Sequence, residues 1–385
     1  MTGWDDFNLE KLVQIKHGFA FKGEFFSDEP TNDILLTPGN FSIGGGFKGD
    51  KLKYYAGLVP SDYVLKEGDL IVTMTDLSKE ADTLGFAAKV PKMDSKRFLH
   101  NQRIGLVTLI DDKVDIGFIY WQMRTYSYQR YVAGSATGAT VKHTSPTKIR
   151  SYKFTAPKSI ITQRKIASIL SAYDDLIENN FKRIRLLEEL AQRTYEEWFV
   201  KFRVKGEELK VDKETGLPEG WEKKRLRDIL ELNYGKALKS DERISGNFPV
   251  FGSSGIIGSH TDFLVKGPGI IVGRKGNVGS VFWSEDNFYP IDTVYFVSSN
   301  TSLYFLYYNL KKQNFINNDA AVPGLNRNAA YMAESFLPTE EMLDMFSVTV
   351  KPIFDSKENL EKQNRLLKEA RDILLPRLMS GKIEL

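Results

Sequence analysis

The chain has no cysteine among its 385 residues, which excludes a disulfide framework, a thiolate metal site and a cysteine nucleophile, and fits a reducing compartment. Histidine is scarce, with four at 17, 100, 143 and 260. No two of them stand at the i, i+4 spacing by which one helix face grips zinc. The Gly-x-Ser-x-Gly elbow and the Gly-x-x-x-x-Gly-Lys-Ser/Thr phosphate loop are both missing. Gly273 to Gly279 has the composition of a phosphate loop but lacks the terminal lysine and hydroxyl. Methyl transfer to an exocyclic base nitrogen calls for Asn or Asp before two prolines and an aromatic, and the chain has no adjacent prolines. A large charge excess is lacking too. With 53 basic against 50 acidic side chains, net +3, any work on nucleic acid needs local patches or partners that share the phosphate contacts. No apolar run approaches membrane-spanning length, and Met1 to Lys11 is polar, so no signal peptide is expected and the expected location is cytoplasmic.

The sequence does carry a duplication. Trp4 to Lys22 reads like Trp221 to Lys239, with Leu9 matching Leu226, Gly18 matching Gly235 and Ala20 matching Ala237, an offset of 217. Asp69 to Val72 falls on Gly269 to Val272 at offset 200, and Phe118 to Trp121 on Tyr304 to Tyr307 at 186. Arg185 to Leu187 falls on Arg365 to Leu367 at 180. The second copy has shed loop residues while keeping its order of elements, as expected of a repeated frame with variable loops.

Each copy reads as a β-rich domain followed by a long helix. Residues 1–158 and 217–338 hold short β-prone runs, such as Leu70 to Thr75 and Ile104 to Ile110, broken by turn signals such as Gly44-Gly45-Gly46. A helix is expected near Ile116 to Tyr131. Residues 159–203 contain no Pro or Gly and repeat Leu170, Ile177, Ile184, Ala191 and Trp198 every seven residues, with Leu187 on the interleaved row. Residues 339–385 repeat Phe346, Ile353, Leu360, Leu367 and Leu374 at the same period. A helix on the order of 60 Å cannot bury such a stripe alone, so the two are expected to pair in antiparallel fashion. Pro352 is expected to kink the second helix or begin a new segment, and Pro376 to disturb its last turn. Residues 204–216 read as a linker. The fold class is α+β with an internal pseudo-two-fold repeat. The secondary row of the second helix carries Lys357, Asn364 and Arg371 where the first has Ile177, Ile184 and Ala191, so the two helices are not equivalent.

Catalytic candidates are few. Asp174-Asp175 and Glu196-Glu197 lie on the helical rod, where a solvated face is the plainer account. Recognition chemistry is abundant. Arg274, Lys275 and Asn277 occupy a glycine-flexed turn, where an Arg fork suits guanine, Asn suits adenine and Lys neutralises phosphate. The matching turn, Thr73 to Asp76 with Thr73 and Thr75, has no cation. Lys142-His143-Thr144 is set against Asn326-Arg327-Asn328, and Asn101, Gln102, Arg103, Ser253 and Ser254 add polar side chains beside β-runs.

These residues resemble the specificity subunit of type I restriction-modification systems along essentially the whole chain. The resemblance rests on Gly216-Leu217-Pro218-Glu219-Gly220-Trp221, on Arg193 to Phe199 with its Glu197-Trp198-Phe199, on the turn Gly273 to Gly279, and on Leu374 to Ile383. It implies two target-recognition domains, each reading half of a bipartite asymmetric DNA site, held apart by two antiparallel helices acting as a ruler. Half-sites about 34 Å apart, roughly one turn of DNA, would suit it. It also implies that the helix seam, with Leu170, Ile177, Ile184, Leu187, Trp198, Leu360, Leu367 and Leu374, takes part in docking two methyltransferase subunits, with restriction subunits in the full complex. No catalytic residue, metal or cofactor is expected in this chain; S-adenosylmethionine, ATP and magnesium would sit on the partners. Two other readings remain open: a helical scaffold that does not touch DNA, and a hydrolase or nuclease using scattered carboxylates.

Overall fold

The structure is a computed structural model and describes residues 3–76, 78, 80–138, 140–315 and 324–385. It divides into two compact units, one of Met1–Glu178 with Asn364–Leu385 and one of Asn179–Gln363. The two long helices, Ile160–Tyr195 and Glu340–Met379, therefore each give one half to either unit.

In the first unit a four-stranded antiparallel sheet has the spatial order Val13–His17, Ile104–Leu109, Leu70–Thr73, Ala87–Lys89. The central run Leu-Ile-Val-Thr is buried at every position, as an aliphatic strand covered on both faces must be. A second, five-stranded sheet runs Phe26–Ser27, Lys53–Tyr55, Asp33–Leu35, Arg97–Leu99, Val64–Leu65. A ribbon of Trp4–Asn8 with Lys153–Pro157 joins the first and last strands. The helix Ile116–Gln122 starts where the Asp115 carboxylate accepts from the amides of Gly117 and Phe118. Its Phe118, Ile119 and Trp121 share one core with Ile166, Ala167 and Leu170 from the start of the first long helix and Leu378 and Met379 from the end of the second. Within this unit the long helices thus meet head to tail.

The second unit repeats the plan. Its sheet order is Glu231–Tyr234, Val294–Ser298, Gly269–Gly273, Val281–Ser284, and its ribbon pairs Glu222–Arg225 with Glu334–Leu337. A smaller sheet runs Gly255–His260, Phe248–Gly252, Tyr289–Pro290. The helix Leu303–Lys312 is capped by Ser302. Its Phe305 and Leu306 pack with Ala191, Tyr195, Trp198 and Phe199 from the end of the first long helix and Phe346, Val350 and Phe354 from the start of the second.

Several expectations change. The caps Asp115 and Ser302 set the offset of the aromatic helix at 187 rather than 186, so Tyr120 answers Tyr307, Trp121 answers Tyr308 and Arg124 answers Lys311. Burial follows this register, since Phe118 and Ile119 are 0% exposed and so are Phe305 and Leu306. The second long helix is not divided at Pro352 or Pro376. Proline forfeits one amide bond, but Phe346, Val350 and Phe354 hold both flanks of Pro352 in the core. The segment 204–216 is not an open linker. Arg203–Val204 pairs with Glu207–Glu208, Val211 bridges Pro218, and Val204 and Leu209 pack on the second core. The first long helix ends in a π-turn at Glu196–Val200, with Phe202 at φ 55°, and this turn carries Trp198 and Phe199 into the core. No helix among the described residues is long and apolar enough to cross a membrane.

Candidate nucleic-acid interface

In both units the polar candidates gather at one end of the four-stranded sheet, and two glycines show why. A Cβ on Gly235 would stand 2.1 Å from the carbonyl oxygen of Ile291, and one on Gly18 would stand 2.1 Å from that of Asn101. Only glycine lets these segments touch, so the strand ends at Tyr234 and His17 are held against the turns at 291–293 and 101–103.

In the second unit the chain leaves the buried strand Gly269–Gly273 and turns at Arg274. The amides of Arg274 and Lys275 both donate to the Thr293 carbonyl, at 2.9 and 3.0 Å. Arg274 Nη1 donates to the Asp292 carbonyl at 3.0 Å, and its guanidinium lies 5.0 Å from the centre of the Tyr234 ring. The Leu325 amide donates to the Arg274 carbonyl at 2.8 Å, which brings in the next segment. There the Asn326 side-chain oxygen accepts from the amides of Asn328 and Ala329, capping the turn that carries Arg327. The Arg327 guanidinium lies 5.1 Å from the same Tyr234 ring. Tyr234 is half exposed and stands edge-on to Tyr295, whose hydroxyl donates to the Leu325 carbonyl. Ser280 donates to the Ser253 carbonyl at 2.7 Å, fastening the hairpin tip to the turn on which Asn277 is exposed. Ser253, Arg274, Lys275, Asn277, Asn326 and Arg327 are thereby brought together, with Ser254 exposed at the tip. Arg274, Lys275 and Arg327 have no ion pair with any described residue, so their charge is available to an anion.

The first unit has the same wiring and different letters. The Met74 amide donates to the Arg103 carbonyl and the Thr144 amide to the Met74 carbonyl, both at 3.0 Å. Residues 101–103 therefore answer 291–293, and Thr144 answers Leu325. Thr75–Asp76 pairs with Lys142–His143, as Lys275 bridges Gly324. The match of Lys142-His143-Thr144 with Asn326-Arg327-Asn328 is corrected by three residues: Ser145, which caps its own short helix, answers Asn326, and Pro146 answers Arg327. Thr73 and Thr75 are corrected as well. Both are buried, the Thr73 hydroxyl donating to the Thr75 carbonyl at 2.8 Å and the Thr75 hydroxyl lying 3.2 Å from His143 Nδ1. Buried hydroxyls already in hydrogen bonds are not free to read a base. Asp76 is buried too; burial would raise its carboxyl, but hydrogen bonds from Ser78 and Thr83 outweigh that and hold it below the usual range. Gln102, Arg103 and His143 are exposed, Asn101 is half-buried, and Lys142 donates to the Gly138 carbonyl at 3.0 Å.

Sequence reasoning missed Tyr234 and its counterpart His17. Both directly precede the paired glycines Gly18 and Gly235 at offset 217, and that position was the available signal.

The helix seam is occupied within the units. Leu170, Ile177, Ile184, Trp198 and Leu360 are buried, and Leu187, Leu367 and Leu374 half-buried. The helices use this row for their own pairing and packing, and Leu187 also lines a cavity in the second unit. In the first unit Arg124 is buried between Tyr120 and Asp174, with its guanidinium 4.2 Å from the Trp121 ring. Asp174 also receives Arg371 at 2.6 Å. Burial would raise the Asp174 carboxyl, but Arg124 and Arg371 outweigh it and hold it below the usual range. Among the described residues no group of three acidic or histidine side chains could hold a metal ion.

The chain matches the family model of the type I restriction modification DNA specificity domain over residues 1–189 and 218–329. It is 27% identical over 308 residues to the type I restriction enzyme MjaIX specificity subunit of Methanocaldococcus jannaschii, covering 71% of this chain and 70% of that one. It is 24% identical over 255 residues to the EcoBI specificity subunit of Escherichia coli, covering 62% of this chain and 50% of that one. Its fold is similar to the crystal structure of a type I restriction-modification system S subunit from M. genitalium, with a TM-score of 0.58 and 18% identity over 97% of this chain and 96% of that one. With the matched regions covering most of the chain and reaching into both of its β-rich domains, the chain belongs to the type I restriction-modification DNA specificity family.

Proposed function

We propose that this chain recognises a bipartite, asymmetric site on double-stranded DNA, each unit reading one half-site at the glycine-pinned end of its sheet. The carrying observation is the cluster in the second unit, where Arg274 and Arg327 flank one Tyr234 ring and neither has an ion pair among the described residues. Stacking orients a guanidinium fork while leaving its donors for an acceptor pair such as guanine O6 and N7. In the first unit Met74, Pro146 and His17 hold the equivalent places, so the half-site it reads differs, with Gln102, Arg103, Lys142 and His143 as its polar groups. The chain itself is non-catalytic and directs two methyltransferase subunits, with restriction subunits in the full complex. S-adenosylmethionine, ATP and magnesium are bound by those partners, in the cytoplasm.

The test mixes the chain with its methyltransferase subunit and maps methylated positions in DNA. One split motif, methylated only when both proteins are present, is expected. Methylation by the chain alone, or at unrelated sites in the mixture, overturns the reading. Unchanged DNA affinity in Arg274→Ala and Arg327→Ala would favour a scaffold that does not touch DNA.

A further inference from the structure

The second unit contains a cavity of about 210 Å³ lined by both long helices and the aromatic helix, among them Glu188, Tyr307, Lys311, Phe354 and Lys357. The duplication shows what stands at this place in the first unit. The long helices align at offset 180, since the Gln163 amide donates to Ser159 as the Leu343 amide donates to Thr339. Lys311 then answers Arg124, Phe354 answers Asp174, and Ala191 answers Arg371. The first unit fills the position with an internal ion triad; the second keeps the cation and has replaced its carboxylate with a phenyl ring.

The pairing of the charges in the cavity shows the same gap. Three cations line it, Arg185, Lys311 and Lys357, against two carboxylates, Glu188 and Glu189. Lys357 pairs with Glu188 at 2.6 Å and with Glu361 at 3.8 Å, and Arg185 pairs with Glu189 at 3.8 Å. Lys311 is left against the rings of Tyr307 and Tyr308, 5.1 and 5.9 Å from their centres, with no ion pair among the described residues. Its outer end is open to solvent. An occupant therefore meets one positive charge, Lys311, that has no ion pair among the described residues.

We propose that this cavity receives a single acidic side chain of a partner polypeptide, whose carboxylate pairs with Lys311 as Asp174 pairs with Arg124 internally. This rests on the reading that the chain assembles with methyltransferase subunits, and it makes docking on the second unit carboxylate-dependent while docking on the first unit is not.

The test uses the full chain with its methyltransferase subunit, counting bound subunits by native mass spectrometry for the unaltered chain, Lys311→Met and Lys311→Arg. Two subunits are expected on the unaltered chain and on Lys311→Arg. Lys311→Met should bind the first as before and the second at least about tenfold more weakly, because a charge loses its partner in a partly desolvated site. Equal binding of both subunits by Lys311→Met overturns the pocket assignment alone, as does weakening by Lys311→Arg equal to that by Lys311→Met. No subunit bound to the unaltered chain overturns the functional reading and this inference together. A second arm measures acetylation of Lys311 in the unaltered chain with the subunit or with free glutarate. Protection by the subunit and not by glutarate is expected; equal protection by glutarate overturns the polypeptide assignment in favour of a small carboxylate.

Discussion

The two units share a frame and differ at two chemically decisive places. At the sheet end, Tyr234, Arg274 and Arg327 in the second unit stand where His17, Met74 and Pro146 stand in the first. At the helix pair, Lys311, Phe354 and Ala191 stand where Arg124, Asp174 and Arg371 form an ion triad. The backbone bonds that hold these places are the same in both units, down to the paired glycines. A duplicated fold can therefore diverge in the side-chain chemistry at its sheet ends and in how its domain is fastened to its helices without changing its wiring.

The sharpest break in the comparison is at the triad. Asp174→Ala leaves the buried Arg124 guanidinium without a carboxylate, while Arg371 keeps Asp372 at 2.8 Å, and should cost the first unit about 3 to 5 kcal/mol, read as a denaturant midpoint shift. Phe354→Ala at the equivalent place opens a cavity in the second unit and should cost a similar amount, about 3 to 5 kcal/mol, through lost packing. The two differ in acid. The Asp174 carboxyl is held low in the folded chain, so its stabilisation is present above the unfolded carboxylate pKa and is lost as pH falls through the folded value. As pH falls below about 4 and on through the lower folded value, the unaltered chain should progressively converge on Asp174→Asn, whereas Phe354→Ala should stay separated from it by the same margin. Convergence of both variants, or of neither, would remove the distinction between an electrostatic and an aromatic fastening.

Smaller effects are expected at the sheet ends. Arg274→Ala and Arg327→Ala should each weaken binding of the true DNA site by about 1 to 3 kcal/mol, if each contacts a base edge. Tyr234→Ala, which removes the shared ring, should cost about 0.5 to 2 kcal/mol, and Tyr234→Phe much less, since the ring carries the effect. The smallest change is expected from Lys142→Ala in the first unit, a uniform weakening across sequences with a salt slope lowered by about 1. Titrations at two salt concentrations against matched and mismatched duplexes separate these cases.

Much of the frame was legible because it is periodic. The heptad rows Leu170 to Trp198 and Phe346 to Leu374 and the tryptophan-led repeat follow from spacing alone. Features that depend on packing were not. Pro352 does not break its helix because aromatic neighbours hold it, and the π-turn at Glu196–Val200 leaves no mark on the pattern. The Arg274 turn was legible from its glycines and cations. The burial of Thr73 and Thr75 was not, because a threonine reads the same whether its hydroxyl meets solvent or a neighbouring carbonyl. Registers of short segments were the weakest point: without the amide donated to Met74, nothing in the letters places Ser145 rather than Lys142 opposite Asn326.

The central claim is that the two sheet ends carry separate information. It is tested most directly by mapping DNA methylation in cells that hold the methyltransferase subunit with either the unaltered chain or the double variant Arg274→Ala, Arg327→Ala. The account predicts that one half of the split motif relaxes or disappears while the bases of the other half stay unchanged. Simultaneous change in both halves, or an unaltered motif at unaltered efficiency, would contradict it.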